Sequence, residues 1–164
     1  RLPFGQIFVR AVSSSSIGCL QGVIDSYVAV NRDRVGLNDG NKIASDPDAQ
    51  MALAECIAAV DECRTIMFRN FDRMVDVAKQ GGELPLDERI KMRFDAALVS
   101  RKCTDAINLM FNACGAQGIF REHPLNRAWL DINAGRQHVA NNPFKFGRNV
   151  GGTMMGLENG DFFL

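Results

Sequence analysis

Histidine occurs only twice in this chain, at 123 and 138, and tryptophan and tyrosine once each. No cysteine or acid stands at ligand spacing from either histidine, which argues against a metal centre. No C-x-x-C pair is present. The five cysteines, Cys19, Cys56, Cys63, Cys103 and Cys114, are odd in number and fall inside helical patterns. They read as reduced core thiols of a cytoplasmic protein and not as a disulfide framework. Nineteen basic residues balance nineteen acidic ones, so no net positive field draws nucleic acid or an anionic membrane. No apolar run is read as approaching the ~20 residues of a membrane span, and no signal-peptide pattern is read. A G-x-S-x-G elbow and a Walker loop are both missing, which leaves hydrolase and nucleotide-triphosphatase readings without support. Alternating strand patterns and internal repeats are absent as well.

What is present is helix. The chain has 164 residues, 46% of them hydrophobic, enough for one domain with a real core. The first helix is predicted over 3–34, with Ile7, Ala11, Ile17, Leu20, Ile24, Tyr27 and Val28 on an inward stripe. The run Ser13-Ser14-Ser15-Ser16 interrupts it. Either these small residues allow close helix packing, or the run forms a narrow, hydroxyl-lined wall beside a ligand. A turn cluster over 36–40 ends that helix. Asp46-Pro47 is a start signal, a capping carboxylate followed by proline at the first helical position. The second helix then runs to about Gln80, with Leu53, Ile57, Val60, Met67, Phe71, Met74 and Ala78 stepping by three and four. Arg64 falls on that stripe and is expected to pair with an acid or to extend outward. After Gly81-Gly82, a third helix from near Pro85 to about Ala113 carries Phe94, Ala97, Val99, Cys103, Ile107, Met110 and Phe111 inward. Three helices on the order of 40–50 Å long at 1.5 Å rise, joined by short turns, pack antiparallel. A fourth helix, from Pro124 to about Ala140, completes an all-α, antiparallel four-helix bundle over 1–142.

Two features carry candidate chemistry. Cys114-Gly115-Ala116-Gln117-Gly118 puts glycine at a helix end. It is either a C-cap with a tight turn, or bare backbone amides approaching a phosphate. On the fourth helix, Leu125, Ala128, Trp129, Ile132 and Val139 project inward, which leaves His138 on the opposite face with Arg127, Asp131 and Ala134. That face is either simply solvated or one wall of a cavity shared with another domain. There an imidazole can exchange a proton near neutral pH. His123, just before Pro124, reads as a helix-entry residue. Residues 143–164 read as a Gly/aromatic tail whose glycines break any helix. Its apolar Phe144, Phe146, Met154, Met155, Phe162 and Phe163 are expected to dock on a neighbouring subunit or an active-site rim.

These residues resemble the C-terminal domain of the acyl-CoA dehydrogenase superfamily. The family has a Gln-x-x-Gly-Gly-x-Gly turn, followed by a glutamate, a proline and an arginine-aspartate pair. Here Asn112, Gly115, Ala116, Gln117 and Gly118 stand for the turn, followed by Glu122, Pro124 and Leu130-Asp131. Arg32 to Gly36 is similar to the family's Arg-x-x-Phe-Gly segment, with Val35 for phenylalanine. Most dehydrogenases of the family keep a catalytic glutamate in a Glu-Gly-Thr triplet after the fourth helix. Val139-Ala140-Asn141 stands there instead, with His138 beside it, and no Asp or Glu occurs before Asp25. The stretch from Gly135 to Pro143 is similar to the two-component flavin monooxygenases of this fold, which hydroxylate phenols. The resemblance implies an oxygenase using reduced flavin (FMN or FAD) from a separate reductase, O2 as co-substrate and no metal. It also implies an aromatic substrate and a homotetramer. His138 would hold or deprotonate the phenol, and Arg32, Gly115, Ala116, Gln117 and Gly118 would contact flavin phosphates. Ser15, Ser16 and Asn141 would line the substrate pocket, and Asp131 would serve as an ion-pair partner. The alternatives are an acyl-CoA dehydrogenase-like flavoprotein, or an oligomerisation domain without activity of its own. The opening at Arg1 reads as the latter part of a larger three-domain protein.

Overall fold

The computed structural model describes residues 2–36 and 40–164. Among these residues, five α-helices follow in order, α1 (Phe4–Asn31), α2 (Pro47–Lys79), α3 (Leu86–Cys114), α4 (Pro124–Arg136) and α5 (Pro143–Met154). No strand forms among the described residues, and a single bridge pairs Val35 with Lys42. Gly36 and Gly40 flank the expected turn, the Gly40 amide donating to Gly36 O at 3.1 Å. Positions 37–39 of that turn lie outside the described residues. The all-α bundle is as predicted, and cross-helix hydrogen bonds give its directions. Cys56 reaches Ala106 O and Arg73 reaches Glu88, so α2 and α3 run antiparallel. Gln6 and Arg10 reach the carbonyls of Arg89 and Met92, so α1 and α3 run parallel. Trp129 Nε1 donates to Asn108, while Arg93 donates to the carbonyl of Ala140, which sets α4 antiparallel to α3.

The start of α2 is chemically explicit. Asp46 Oδ1 accepts from the amides of Asp48 and Ala49 at 2.8 and 3.4 Å, and Pro47 occupies the first helical position. The main core joins α1 to α4 through Ile17, Leu20, Ile24, Cys56, Val60, Cys103, Ile107, Met110, Leu125 and Ile132. Burial of each large side chain there contributes about 1.5–3 kcal/mol. By length and composition α1 also meets the test for a membrane span, which corrects the expectation that no run comes near one. In the fold, its Ile17, Leu20, Val23, Ile24 and Tyr27 pack into the core. Ala11, Val28 and Ile57, expected inward, face outward, and Arg64 is exposed.

A smaller apolar cluster of Val9, Ala96 and Ala140, with Val12 and Phe163 against it, closes the opposite end. Buried polar groups knit this end together. Arg10 bonds Gln6, and Asp95 accepts from Asn70, Arg69 and Lys91. Burial pulls the guanidinium of Arg10 down to about 10, against the field of Asp95, so it stays charged at neutral pH.

Two sequence expectations fail here, each for a local reason. First, α4 stops at Arg136 and does not continue to Ala140. The Asn141 side-chain Nδ2 donates back to Gly135 O at 2.8 Å, and a 3-10 turn over Val139–Asn141 follows. Val139 is therefore 67% exposed instead of lining the core. Second, the tail's glycines do not prevent a helix. Asn142 Oδ1 accepts from the amide of Lys145 at 3.1 Å, Pro143 takes the first position, and α5 forms. A Cβ at Gly147 would stand 3.0 Å from the Phe94 ring, so glycine is what lets α5 lie close on α3.

Candidate functional site

The sequence-predicted residues separate into two places. The first lies where α3 ends. Gly115 has φ 64° and ψ −154°, a combination essentially restricted to glycine. The chain turns there through Gly115–Ile119. Gly115, Ala116 and Gln117 line a cavity of about 580 Å³ with Arg34, Lys42, Asp46 and Cys114. Asp46 caps α2 and keeps its negative charge, so Arg34 and Lys42 together leave a net positive balance beside the backbone turn. That donor set suits phosphate oxygens. Arg34 also acts on its neighbours. Burial raises the Cys114 thiol above its usual range while Arg34 opposes the rise. Burial and then the Arg34 charge lower His123 below the ordinary imidazole value. His123 does stand at the helix entry, its Nδ1 accepting from the amide of Leu125 at 3.3 Å, and its Nε2 lies 3.7 Å from Cys114 Sγ.

Two members of the predicted set lie apart from this cavity. Gly118 is buried, and its carbonyl accepts from Asn126. Arg32 borders a neighbouring apolar cavity of about 390 Å³ with Tyr27, Val28, Ile43 and Leu53. Arg34 and Lys42 were missed from sequence. Arg34 falls inside the same RDRVG stretch as Arg32, but the chain reverses after Asn31, and the Val35–Lys42 bridge sets which arginine faces the turn.

The second place is the turn after α4. His138 does not sit on a helical face as projected. It caps the 3-10 turn, its Nδ1 accepting from the amide of Ala140 at 3.1 Å. An amide can only donate, so Nδ1 carries no proton and the neutral ring holds its proton on Nε2. The ring is exposed. The backbone beneath it is fixed by α3, where Arg93 Nη1 donates to Ala140 O at 2.9 Å and Ser100 Oγ to Asn141 O at 3.2 Å. Asn141 is fully buried, and its Oδ1 lacks a hydrogen-bond partner. Ser16 is buried against Gly135. Ser15 is exposed and bonds Val12 O in its own helix. Ser16, Gly135, Asn141 and His138 thus share one neighbourhood, the first three packed beneath the turn and His138 exposed on it. Asp131 pairs with Arg127 at 2.9 Å on the exposed face of α4.

Residues 11–143 match the family described as acyl-CoA dehydrogenase, C-terminal domain. The chain belongs to that family. Among curated relatives, the flavin-dependent monooxygenase oxygenase subunit HsaA of Mycobacterium tuberculosis is 28% identical over 162 residues. That match covers 98% of this chain and 41% of the relative. The FADH2-dependent resorcinol hydroxylase oxygenase component of a Rhizobium species is 28% identical over 160 residues, covering 90% and 38%. The crystal structure of 3-HSA hydroxylase from Rhodococcus sp. RHA1 superposes with a TM-score of 0.90 at 26% identity, covering 99% and 42%. The chain therefore spans about two-fifths of the length of the relatives it matches. Within this dehydrogenase-like domain, the two candidate sites lie at different levels of α3. The stretch between Ser100 and Gly115 alone spans on the order of 20 Å at 1.5 Å per residue.

Proposed function

We propose that this domain is the C-terminal part of a flavin-dependent aromatic monooxygenase, in which His138 binds the hydroxyl of a phenolic substrate. The observation that carries this reading is the fixed imidazole. With Nδ1 bonded to the Ala140 amide, the outward atom is an Nε2–H donor. Such a donor favours the ionised phenol oxygen and keeps electron density high on the ring carbons. It does not suit abstraction of a proton by Nε2, since that atom already carries one. Hydrogen-bond partner is therefore the role the geometry supports, over general base. The triplet Val139-Ala140-Asn141 offers no carboxylate for dehydrogenation of a thioester.

Reduced flavin, FMN or FAD, would supply the electrons that activate O2, delivered by a separate reductase as the relatives' designation of oxygenase component suggests. Gly115, Ala116 and Gln117, with Arg34 and Lys42, would hold its phosphate groups, and Arg32 would flank them. Ser15, Ser16 and Asn141 would act behind the substrate and not against it. The distance between the glycine turn and the His138 turn supports a division of labour between copies, the phosphates held by one chain and the substrate by another. Exposed Phe144, Met154, Met155 and Phe162 support a homo-oligomer, with a tetramer as the proposed state. Free cysteines throughout and dependence on a reductase fit a cytoplasmic enzyme that engages neither nucleic acid nor membrane.

The test uses the full-length protein with a flavin reductase, O2 and a panel of phenols, run beside an acyl-CoA with an artificial electron acceptor. Hydroxylated product in the first arm is expected. Enoyl-CoA in the second arm, with no product in the first, would replace this reading with a dehydrogenase.

A further inference from the structure

Nothing yet described uses the buried arginine–aspartate contact beneath the His138 turn. Arg93 on α3 and Asp161, beyond α5, approach to 3.5 Å between Nε and Oδ2, each side chain 4% exposed. Both atoms are buried and make no hydrogen bond, so the contact is a charge pair. Arg93 is held on two further sides. Its guanidinium lies 3.4 Å from the centroid of the Phe146 ring on α5, and its Nη1 donates to Ala140 O. Asp161 is fixed just as firmly. Its Oδ1 accepts from the amide of Phe163, its amide donates to Asn159 Oδ1, and Asn159 is tied to Asn149 of α5.

Ala140 links this pair to the imidazole. Its carbonyl is taken by Arg93 and its amide holds His138 Nδ1 at 3.1 Å. We propose that Arg93 and Asp161 form a positioning pair through which the segment following α5 fixes the tautomer and direction of His138. The pair touches no substrate. The proposal rests on the reading of His138 as the residue that meets the phenol. The contact geometry alone argues the rest: a cation held by Asp161 and Phe146 keeps Ala140 in place, and a fixed Ala140 amide keeps Nδ1 free of a proton. A side chain that only filled space at this point would not require a charge that is 96% removed from water, nor a donor aimed at the residue that orients the imidazole.

The test is made in the full-length oxygenase with two conservative variants. Asp161→Asn keeps the shape and the acceptor for Phe163, and Arg93→Lys keeps the charge but loses the fork. Two readouts are taken: the tautomer of His138 by long-range proton–nitrogen NMR on 15N-histidine protein, assigned with His138→Asn, and the split between hydroxylated product and released hydrogen peroxide. Wild type is expected to show one tautomer with Nδ1 bare. Each variant is expected to mix tautomers and to lower product per O2 consumed by roughly fivefold to tenfold, the effect of one weakened hydrogen bond, with O2 consumption itself unchanged. A single wild-type tautomer and wild-type product yield in both variants would overturn the proposal. So would an Asp161→Asn protein that has lost its helical circular dichroism, because the pair would then serve the fold at large. If His138→Asn itself keeps full product yield, the reading of His138 fails instead, while the tautomer measurement still decides whether the pair orients the ring.

Discussion

His138 performs two tasks that one pair of substitutions separates. Its Nδ1 satisfies the amide of Ala140, a residue 5% exposed, and its Nε2–H is the proposed contact to substrate. His138→Ala removes both. Leaving a buried amide without an acceptor costs about 1–3 kcal/mol, which lowers Tm by about 2–4 °C per kcal/mol in a domain of this size and by less in the longer full-length protein. His138→Asn places Oδ1 near the position of Nδ1, so the amide keeps its acceptor and Tm should stay within about 1–2 °C of wild type. The same variant has nothing in place of Nε2. A hydrogen bond to an ionised oxygen is worth about 1.5–3 kcal/mol, which corresponds to a roughly 10- to 150-fold loss in hydroxylation rate. The assay is product formation from a phenol in the full-length enzyme supplied with reduced flavin, with hydrogen peroxide measured in parallel and melting followed by circular dichroism. Both variants should lose product while peroxide persists or rises, and only His138→Ala should lose stability. Wild-type hydroxylation by His138→Asn would refute the substrate contact, and a wild-type melting temperature for His138→Ala would refute the cap.

Asp46→Ala removes the acceptor for the first amides of α2 and should cost about 1 kcal/mol in urea titration, whereas Asp46→Asn should cost little. Gly115→Ala forces a side chain into a backbone region that only glycine occupies readily. It should destabilise by about 1–3 kcal/mol and weaken retention of flavin by the full-length protein. Met110 is fully buried in the main core, so Met110→Ala should lower stability by about 2–5 kcal/mol; a smaller loss would mean the site collapses around the gap. His123 is held below the ordinary imidazole value by burial and by Arg34. The unfolded chain therefore binds more protons between the depressed and the ordinary value, so stability rises with pH across that window and falls as the solution is acidified through it. His123→Asn, which keeps an acceptor for the Leu125 amide, should flatten that part of the curve.

The helices were legible because their signals are local. Asp46-Pro47 starts α2 where both residue types say it should, and Leu20, Cys103 and Ile107 repeat with the helical period. What escaped was decided by residues distant in sequence or by competing rules. The period runs on unbroken through Ala134 to Val139, and α4 ends where the Asn141 side chain, through Nδ2, reaches back to Gly135 O. Asn142-Pro143 repeats the type of start signal read correctly at Asp46-Pro47. The glycines obscured it, because their cost to a helix is visible in sequence and their use against Phe94 is not. At the candidate site, the resemblance marked Gly115 to Gln117, which do line a cavity. It marked Arg32, where the backbone reversal turns Arg34 to that cavity instead. Ser15 and Ser16 occupy adjacent positions on α1 and so face different ways, one outward and one into packing, which a pair read along a line of sequence conceals.

Phe163 packs edge-on against Phe4 and Phe8, and its carbonyl oxygen lies 2.9 Å from where a Cβ on Gly5 would stand. During synthesis the first turns of α1 leave the ribosome long before that partner exists. The Ile17–Tyr27 end of the helix can find α2 and α3 as they emerge, but the Phe4–Val9 end must wait for its partner until Phe163 has been made. Assembly of this domain should thus finish where α1 begins, and a nascent chain halted after α4 should bind chaperones through the rings of Phe4 and Phe8.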